Sequence, residues 1–335
     1  MDPFSQATLG AVAAQSTSDP RRLRAAAFLG CVAGLAPDID VFISSSIDPL
    51  LFLEFHRQFT HSLVFIPVGA LICSAVFYVA VRRYLSFKET FLFCLLGYAT
   101  HGLLDACTTY GTQLFWPFSD DRIAWNNVSV IDPLLTIPAF ILMVVAVIKA
   151  RANYARIAFA WIVFYLVIGL VQKERAELAA LELVRARGHH PVSLEAKPGF
   201  ANLLLWKIVY EQDGMYYVDA VRAGLTTRIY PGDRTEKLDI PKHLPWLDPS
   251  SQQARDIERF RWFSRDYLAV DSRDPNLIVD MRYSMIPNEI DALWGIRLNP
   301  SASAAAHVHY QTNRNPSPER LQKLKRMLYG ESLID

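Results

Sequence analysis

Charge is scarce in the first half of this chain. Residues 25–172 carry 17 Asp, Glu, Lys and Arg among 148, against 45 among the 163 of residues 173–335. The whole chain nets only +1; without a basic field there is no ground to expect a nucleic-acid partner. Glycine is modest too, 15 in 335, and with 12% aromatics this excludes a fibrous repeat or a disordered chain. Cysteine is limited to Cys31, Cys73, Cys94 and Cys107. All lie in or beside apolar runs without a C-x-x-C spacing, which favours small buried hydrophobes over zinc ligands or disulfides. The N-terminus has Asp2 at its front and no compact apolar core, so no cleaved signal peptide is expected and the first true span should insert the chain. Serine-hydrolase (G-x-S-x-G), P-loop and dinucleotide fingerprints are lacking as well.

What fills the charge-poor half is apolar sequence. Residues 62–81 are uncharged, and at ~1.5 Å per residue such a run measures about 30 Å, one hydrocarbon core. Shorter apolar segments follow at residues 91–106, 133–148 and 157–172, and residues 25–36 with Val41-Phe42-Ile43 could make a marginal fifth. The expected fold is an α-helical polytopic membrane domain of four to five spans over residues 1–172. A small α+β soluble domain with an antiparallel sheet should follow over residues 173–335. In that second half residues 203–210, 215–220, 226–230, 277–285 and 307–311 read as strands. Residues 173–187, 250–263 and 317–329 read as helices, and Trp206, Trp246, Trp262 and Trp294 as core.

Basic flanks give an orientation. Arg21, Arg22 and Arg24, then Arg82, Arg83 and Lys88, then Lys149, Arg151 and Arg156 fall on one side of a five-span bundle. By the positive-inside rule that side is cytoplasmic. The expected location is therefore the bacterial inner (cytoplasmic) membrane, with the loops at 37–61 and 107–131 and the C-terminal domain on the extracytoplasmic side.

The few ionisable groups of the apolar half gather at that outer edge. Asp38 and Asp40 follow the first apolar segment, and His56, Arg57 and His61 precede the second. His101 and Asp105, at i and i+4, share one helix face. Ionisable groups inside a span cost up to ~2.5–3.5 kcal/mol each on insertion scales, reached at the helix centre, and inside or at the edge of a span they mark functional sites by default. Imidazoles and carboxylates together suit Zn, Mn or Fe, with enough groups for one or two divalent ions. Asp132 or Glu54 could serve as general base and Arg57 as a phosphate clamp. Each also has a structural reading: Asp132-Pro133 is a good helix start, and Arg57 could be an interfacial arginine. His307-Val308-His309 reads as a surface strand, and His189-His190 as a linker.

Met1-Asp2-Pro3-Phe4-Ser5-Gln6, Ala36-Pro37-Asp38-Ile39-Asp40, Phe55-His56-Arg57-Gln58-Phe59-Thr60-His61-Ser62 and His101-Gly102-Leu103-Leu104-Asp105 together resemble the YdjM-like family. These are bacterial inner-membrane proteins classed as metal-dependent hydrolases, and the resemblance covers residues 1–172. It implies metal ligation by Asp38, Asp40, His56, His61, His101 and Asp105. Many members carry Thr-His where this chain has Ser5-Gln6, so no ligand role for that histidine carries over. The expected activity is hydrolysis of an ester or phosphoester, with membrane lipids as partners and a lipid-linked or envelope-related substrate. The alternatives are a metal-ion transporter or sensor, and a membrane anchor with a structural metal.

Overall fold

The computed structural model describes residues 1–313 and 317–333. Seven α-helices come first: α1 (Pro3–Ser16), α2 (Leu23–Leu35), α3 (Leu51–Phe55), α4 (Ile66–Val81), α5 (Phe87–Ala106), α6 (Pro133–Lys149) and α7 (Asn153–Ala186). Local chemistry fixes their starts. Asp2 accepts from the backbone of Phe4 and Ser5 at the head of α1. Ser86 and Glu89 form a reciprocal capping box on α5. Asp132 caps α6, with Pro133 at its first position.

Among the described residues, two helical stretches each contain an 18-residue window apolar enough to cross a membrane: Pro20–Phe42 and α7. A third qualifies if Leu51–His61 and Ile66–Val81, bent by 84°, are taken together. The uncharged run 62–81 thus gives a helix of only 16 residues. Pro67 lies in its first turn, and Leu63 N–H is committed to Leu114 O across the fold. Residues 157–172 and 173–187, expected as two segments, fall, all but Arg187, in the single 34-residue α7. Gln172-Lys173 marks a change of polarity there, not a break. The N-terminal residues, for which no helix was expected, form α1, which is buried along most of its length.

Contacts divide the chain into two units. One comprises Met1–Ile43, Phe55–Leu170 and Phe200–Asn202; the other Ser44–Glu54, Val171–Gly199 and Leu203–Asp335. Composition places the boundary at Gln172, and contacts place it two residues earlier in the same helix, between Leu170 and Val171; contacts also assign the early segment Ser44–Glu54 to the second unit.

In the first unit α1, α2 and α5 meet backbone to backbone. A Cβ on Gly30 would run into Gly10 O, and one on Gly97 into Gly30 O. This is the close approach that small residues permit between apolar helices. The second side of the group is closed by α4, whose Ala70 and Cys73 pack with Ala26, Leu29, Phe93 and Tyr98.

The second unit holds two antiparallel sheets. β1 (Ser193–Pro198), β2 (Leu205–Gln212), β3 (Met215–Ala223) and β4 (Thr227–Tyr230) run in order, with β5 (Arg234–Glu236) also on β3. β6 (Leu268–Asp271), β7 (Asp274–Asp280), β8 (Trp294–Arg297) and β9 (His309–Thr312) make the other. Helices α8 (Ile240–His243), α9 (Gln252–Ser264) and α10 (Pro318–Tyr329) complete it. Val209, Tyr216 and Val218 share a core with Tyr267, Ala269, Val279 and Met281, which joins the two sheets. Trp206 is fully buried, but Trp246, expected in the core, stands 38% exposed in the turn after α8. All four cysteines are free.

This core also buries charge. Lys207 Nζ donates to Ser284 Oγ (2.8 Å) and Glu289 O (2.9 Å). Burial, with repulsion from Lys197, pushes its ammonium down to about 7; in an unfolded chain it would titrate near ~10.4. Between those values the unfolded state binds the proton that the folded state has lost, so the unit's stability rises with pH across that window. The slope is at most about 1.4 kcal/mol per pH unit. Lys207→Met is expected to flatten this rise, read by denaturant unfolding at pH 7 to 10.

Candidate metal centre

The helix ends bring four side chains together. Asp38 lies on the 3-10 segment Ala36–Phe42 that continues α2, and His61 on the 3-10 turn Phe59–His61 before α4. His101 and Asp105 occupy the last turns of α5. Gly102 admits the approach, since a Cβ there would strike His61 O. His61 and His101 place their Nε2 atoms 2.9 Å apart. Asp38 Oδ1 is 3.4 Å from the first and 3.3 Å from the second. Asp105 Oδ2 stands 3.3 Å and 3.6 Å from the same two atoms. His61, His101 and Asp105 are buried, and the Asp38 side chain keeps 24% of its surface.

The hydrogen bonds behind these atoms say what they are. His101 Nδ1 is 2.6 Å from Gly34 O, a pure acceptor, so Nδ1 carries the proton and Nε2 presents a lone pair. His61 Nδ1 faces Asp40 Oδ2 (3.2 Å) and Thr60 Oγ1 (3.0 Å). The Thr60 hydroxyl is itself donated to Asp40 Oδ2 (2.8 Å), so it accepts from His61. His61 Nε2 is then a lone pair as well. Two lone pairs and two carboxylate oxygens converge, and among the described residues Asp105 Oδ2 accepts no hydrogen bond, its cationic neighbour being Arg57 Nε at 3.1 Å in an ion pair.

A divalent cation fits that donor set. Bonds of 2.0–2.1 Å in a tetrahedron give ligand–ligand edges of about 3.3–3.4 Å; the separations involving a histidine run from 2.9 to 3.6 Å, and all four atoms lie within 4.8 Å of one another. Asp38, His61, His101 and Asp105 would hold the ion. A second group, Asp38, Asp40 and His56, shares Asp38 with the first.

Asp40 is the organiser. One oxygen takes His56 Nδ1 (2.8 Å) and the other takes Arg57 N–H (3.0 Å) and Thr60. Carboxylates behind metal-binding histidines typically contribute 10–100-fold in affinity. Asp40→Asn is expected to weaken metal binding by about that range, measured by competition with a chelator.

Arg57 is buried beside the centre at φ 66°, a left-handed conformation costly for a residue with a side chain. Its Nε is 3.1 Å from Asp105 Oδ2, its Nη1 donates to Thr108 Oγ1 (3.0 Å), and its guanidinium lies 4.6 Å over the Tyr110 ring. The expected phosphate clamp is thus engaged in balancing Asp105. The two candidate bases have partners of their own. Asp132 caps α6 and accepts from Tyr165 OH (2.8 Å). Glu54 belongs to the second unit, where it pairs with Arg259.

Gln6 was not singled out from the sequence. It is fully buried, and its Nε2 donates to Asp105 Oδ1 (3.0 Å) and toward His101 O (3.3 Å). Asp105 Oδ1 also pairs with the Met1 amine. The only signal was that Gln6 falls where the resembled family has histidine.

Apolar helices of spanning length together with a His/Asp cluster in the helical unit define the class: an integral membrane protein with a candidate metal centre. The chain belongs to the YdjM inner membrane protein family, whose model it matches over residues 1–176. It is 30% identical over 120 residues to the uncharacterized protein YfhP of Bacillus subtilis, covering 36% of each chain. It is 35% identical over 110 residues to the inner membrane protein YbcI of Escherichia coli, covering 31% of this chain and 61% of that one. The match thus spans about a third of the first relative and under two thirds of the second. No solved structure matches.

Proposed function

We propose that the chain is a membrane-bound, metal-dependent hydrolase of an ester or phosphoester. The observation that carries this reading is Asp38. It is the partly exposed member of an otherwise buried ligand set and is common to both ligand groups, so the centre has one side open to water and substrate. When bound, a divalent ion, of which zinc suits the donors best, supplies Lewis-acid polarisation and acidifies water at the site. His61 and His101 hold their lone pairs forward because Asp40 and Gly34 O keep the other ring nitrogens protonated. His56, the less buried histidine, has Nδ1 bonded to Asp40 and can accept a proton at Nε2. It takes the general-base role first considered for Asp132 and Glu54. Arg57 offsets the charge of Asp105 and holds it in place.

Topology supports a lipid or envelope-related ester. Asp38, His61 and Asp105 sit at helix ends, not midway along apolar runs, which disfavours an ion pathway through the bundle. Arg156 donates to Ser16 O at the end of α1 remote from the Met1–Asp105 pair. The basic flanks therefore mark the end of the helices opposite the centre. By the positive-inside rule we place the centre and the C-terminal unit on the outer face of the inner membrane, with α2 and α4–α7 as the five spans.

A second reading, a structural metal, is favoured by the three buried members of the four-ligand group, since closed tetrahedral sites are structural. Metal analysis of the protein in nanodiscs, joined to a screen of phosphoester and lipid substrates, separates the two. Bound metal with hydrolysis abolished in Asp38→Ala supports the enzyme. Bound metal with no hydrolysis of any substrate supports the structural ion.

A further inference from the structure

The stretch Ser44–Glu54 is the covalent link between Asp40 and His56, yet it packs within the C-terminal unit. Its base is closed by the Asp40 carboxylate, which takes His56 Nδ1 and Arg57 N–H. Its outer part is seized by one arginine of α9. Arg259 grips Asp48 with a two-pronged contact, Nη2 to Oδ2 at 2.7 Å and Nη1 to Oδ1 at 3.0 Å. Its Nε pairs with Glu54, and Nη1 also donates to Asp256 Oδ1 at 2.9 Å. One guanidinium thus spreads its donors over three carboxylates, a fork that a lysine cannot reproduce.

The grip is itself anchored. Asp256 is fully buried and accepts from Gln252 Nε2 (2.9 Å) and Val308 N–H (3.1 Å), with His307 Nδ1 at 2.9 Å. Leu50 and Leu53 of the linking stretch are buried, and Phe52 sets its ring edge-on to Tyr310. The residues between Ala36 and Phe42 that carry Asp38 and Asp40 form only a 3-10 segment, capped by Ile43 N–H on Asp40 O. Such turns hold register poorly by themselves, so a loop anchored at its far end restricts the conformations open to both of its ends.

We propose that Arg259 is a positioning residue for the metal centre: it holds the Ser44–Glu54 loop, and through that loop the placement of Asp38, Asp40 and His56. This deepens the metal-centre reading and rests on it. The test uses the full-length protein in nanodiscs loaded with Zn(II), with release of the ion to a chromogenic chelator followed in time. Arg259→Gln is expected to release Zn(II) about tenfold faster, the scale of an outer-shell partner, and Arg259→Lys is expected to restore part of the difference. Because Arg259→Gln strips a buried carboxylate of its partner and could disturb α9, the double variant Asp48→Asn/Glu54→Gln loosens the same grip from the loop side. It should release the ion at a similarly raised rate, with the thermal midpoint of the C-terminal unit close to wild type. An arginine that served only the stability of its own unit would lower that midpoint and leave the release rate unchanged. Wild-type release rates in both the loop variant and Arg259→Gln overturn the proposal alone; a wild-type protein that binds no Zn(II) overturns the metal-centre reading and this proposal with it.

Discussion

Replacing His101 with alanine is expected to leave the protein unable to retain a divalent ion through purification. Four ligand atoms converge from three chain segments, and His101 Nε2 lies within 3.6 Å of the other three members it is measured against. Apparent binding energies for four-ligand zinc sites are about 10–16 kcal/mol, which spreads to roughly 3 kcal/mol per ligand, or more than about 100-fold in affinity. The variant also leaves Asp38 and Asp105 facing each other with one neutral donor fewer to hold a cation between them. Metal analysis beside wild type reads the result. Wild-type stoichiometry in His101→Ala would show that these atoms do not hold the ion.

Asp280→Ala is the largest stability effect expected in the C-terminal unit. Asp280 and Arg282 have no exposed side-chain surface, and the carboxylate takes Arg282 Nε and Nη2, the latter at 2.7 Å, together with Arg282 N–H and Trp294 Nε1 at 3.0 Å. The guanidinium lies 5.0 Å over the Phe263 ring, so removing the carboxylate abandons a cation inside an aromatic core. Breaking a buried pair by deleting one partner costs about 3–5 kcal/mol. For a unit of this size that is a fall of about 10 °C in thermal midpoint, measured by calorimetry or near-ultraviolet circular dichroism. A shift of only a degree or two would mean that the arginine reaches water on unfolding of its neighbours alone.

The apolar half was legible in outline because membrane solvation writes a coarse signal: long uncharged runs and basic flanks. Its finer structure was not. Residues 62–81 look like the best span, but Pro67 and the Leu63–Leu114 backbone bond shorten the helix, and no local pattern announces a partner fifty residues away. Helix α1 escaped notice because its small residues carry little hydrophobicity; their role is close packing, which only the partner helices reveal. In the second unit β2 and β3 were readable from β-branched and aromatic residues around Asp213-Gly214. Strands β1 and β8 were not: Ser-Leu-Glu-Ala-Lys-Pro has weak intrinsic preference, and Trp-Gly-Ile-Arg is only four residues long with a glycine inside it, so both are made by pairing with a neighbour.

The centre shows the same division. Its histidines and aspartates stood out because ionisable groups are rare where they occur. Their division of labour did not, because it depends on which oxygen lies behind which ring. Asp132 and Glu54 looked equally suitable as bases, yet one is spent on a helix cap and the other on Arg259.

The two imidazoles of the centre are oriented by different means, and this affects how they tolerate sequence drift. His61 takes its tautomer from the Asp40 side chain, which a single codon change can remove. His101 takes its tautomer from the carbonyl of Gly34, a group every amino acid possesses. One half of the pair is thus vulnerable to point mutation at its support, while the other is protected as long as the helix backbones keep their spacing. Selection to preserve the centre would act at position 40 through chemistry and at positions 10, 30, 34 and 97 through size alone.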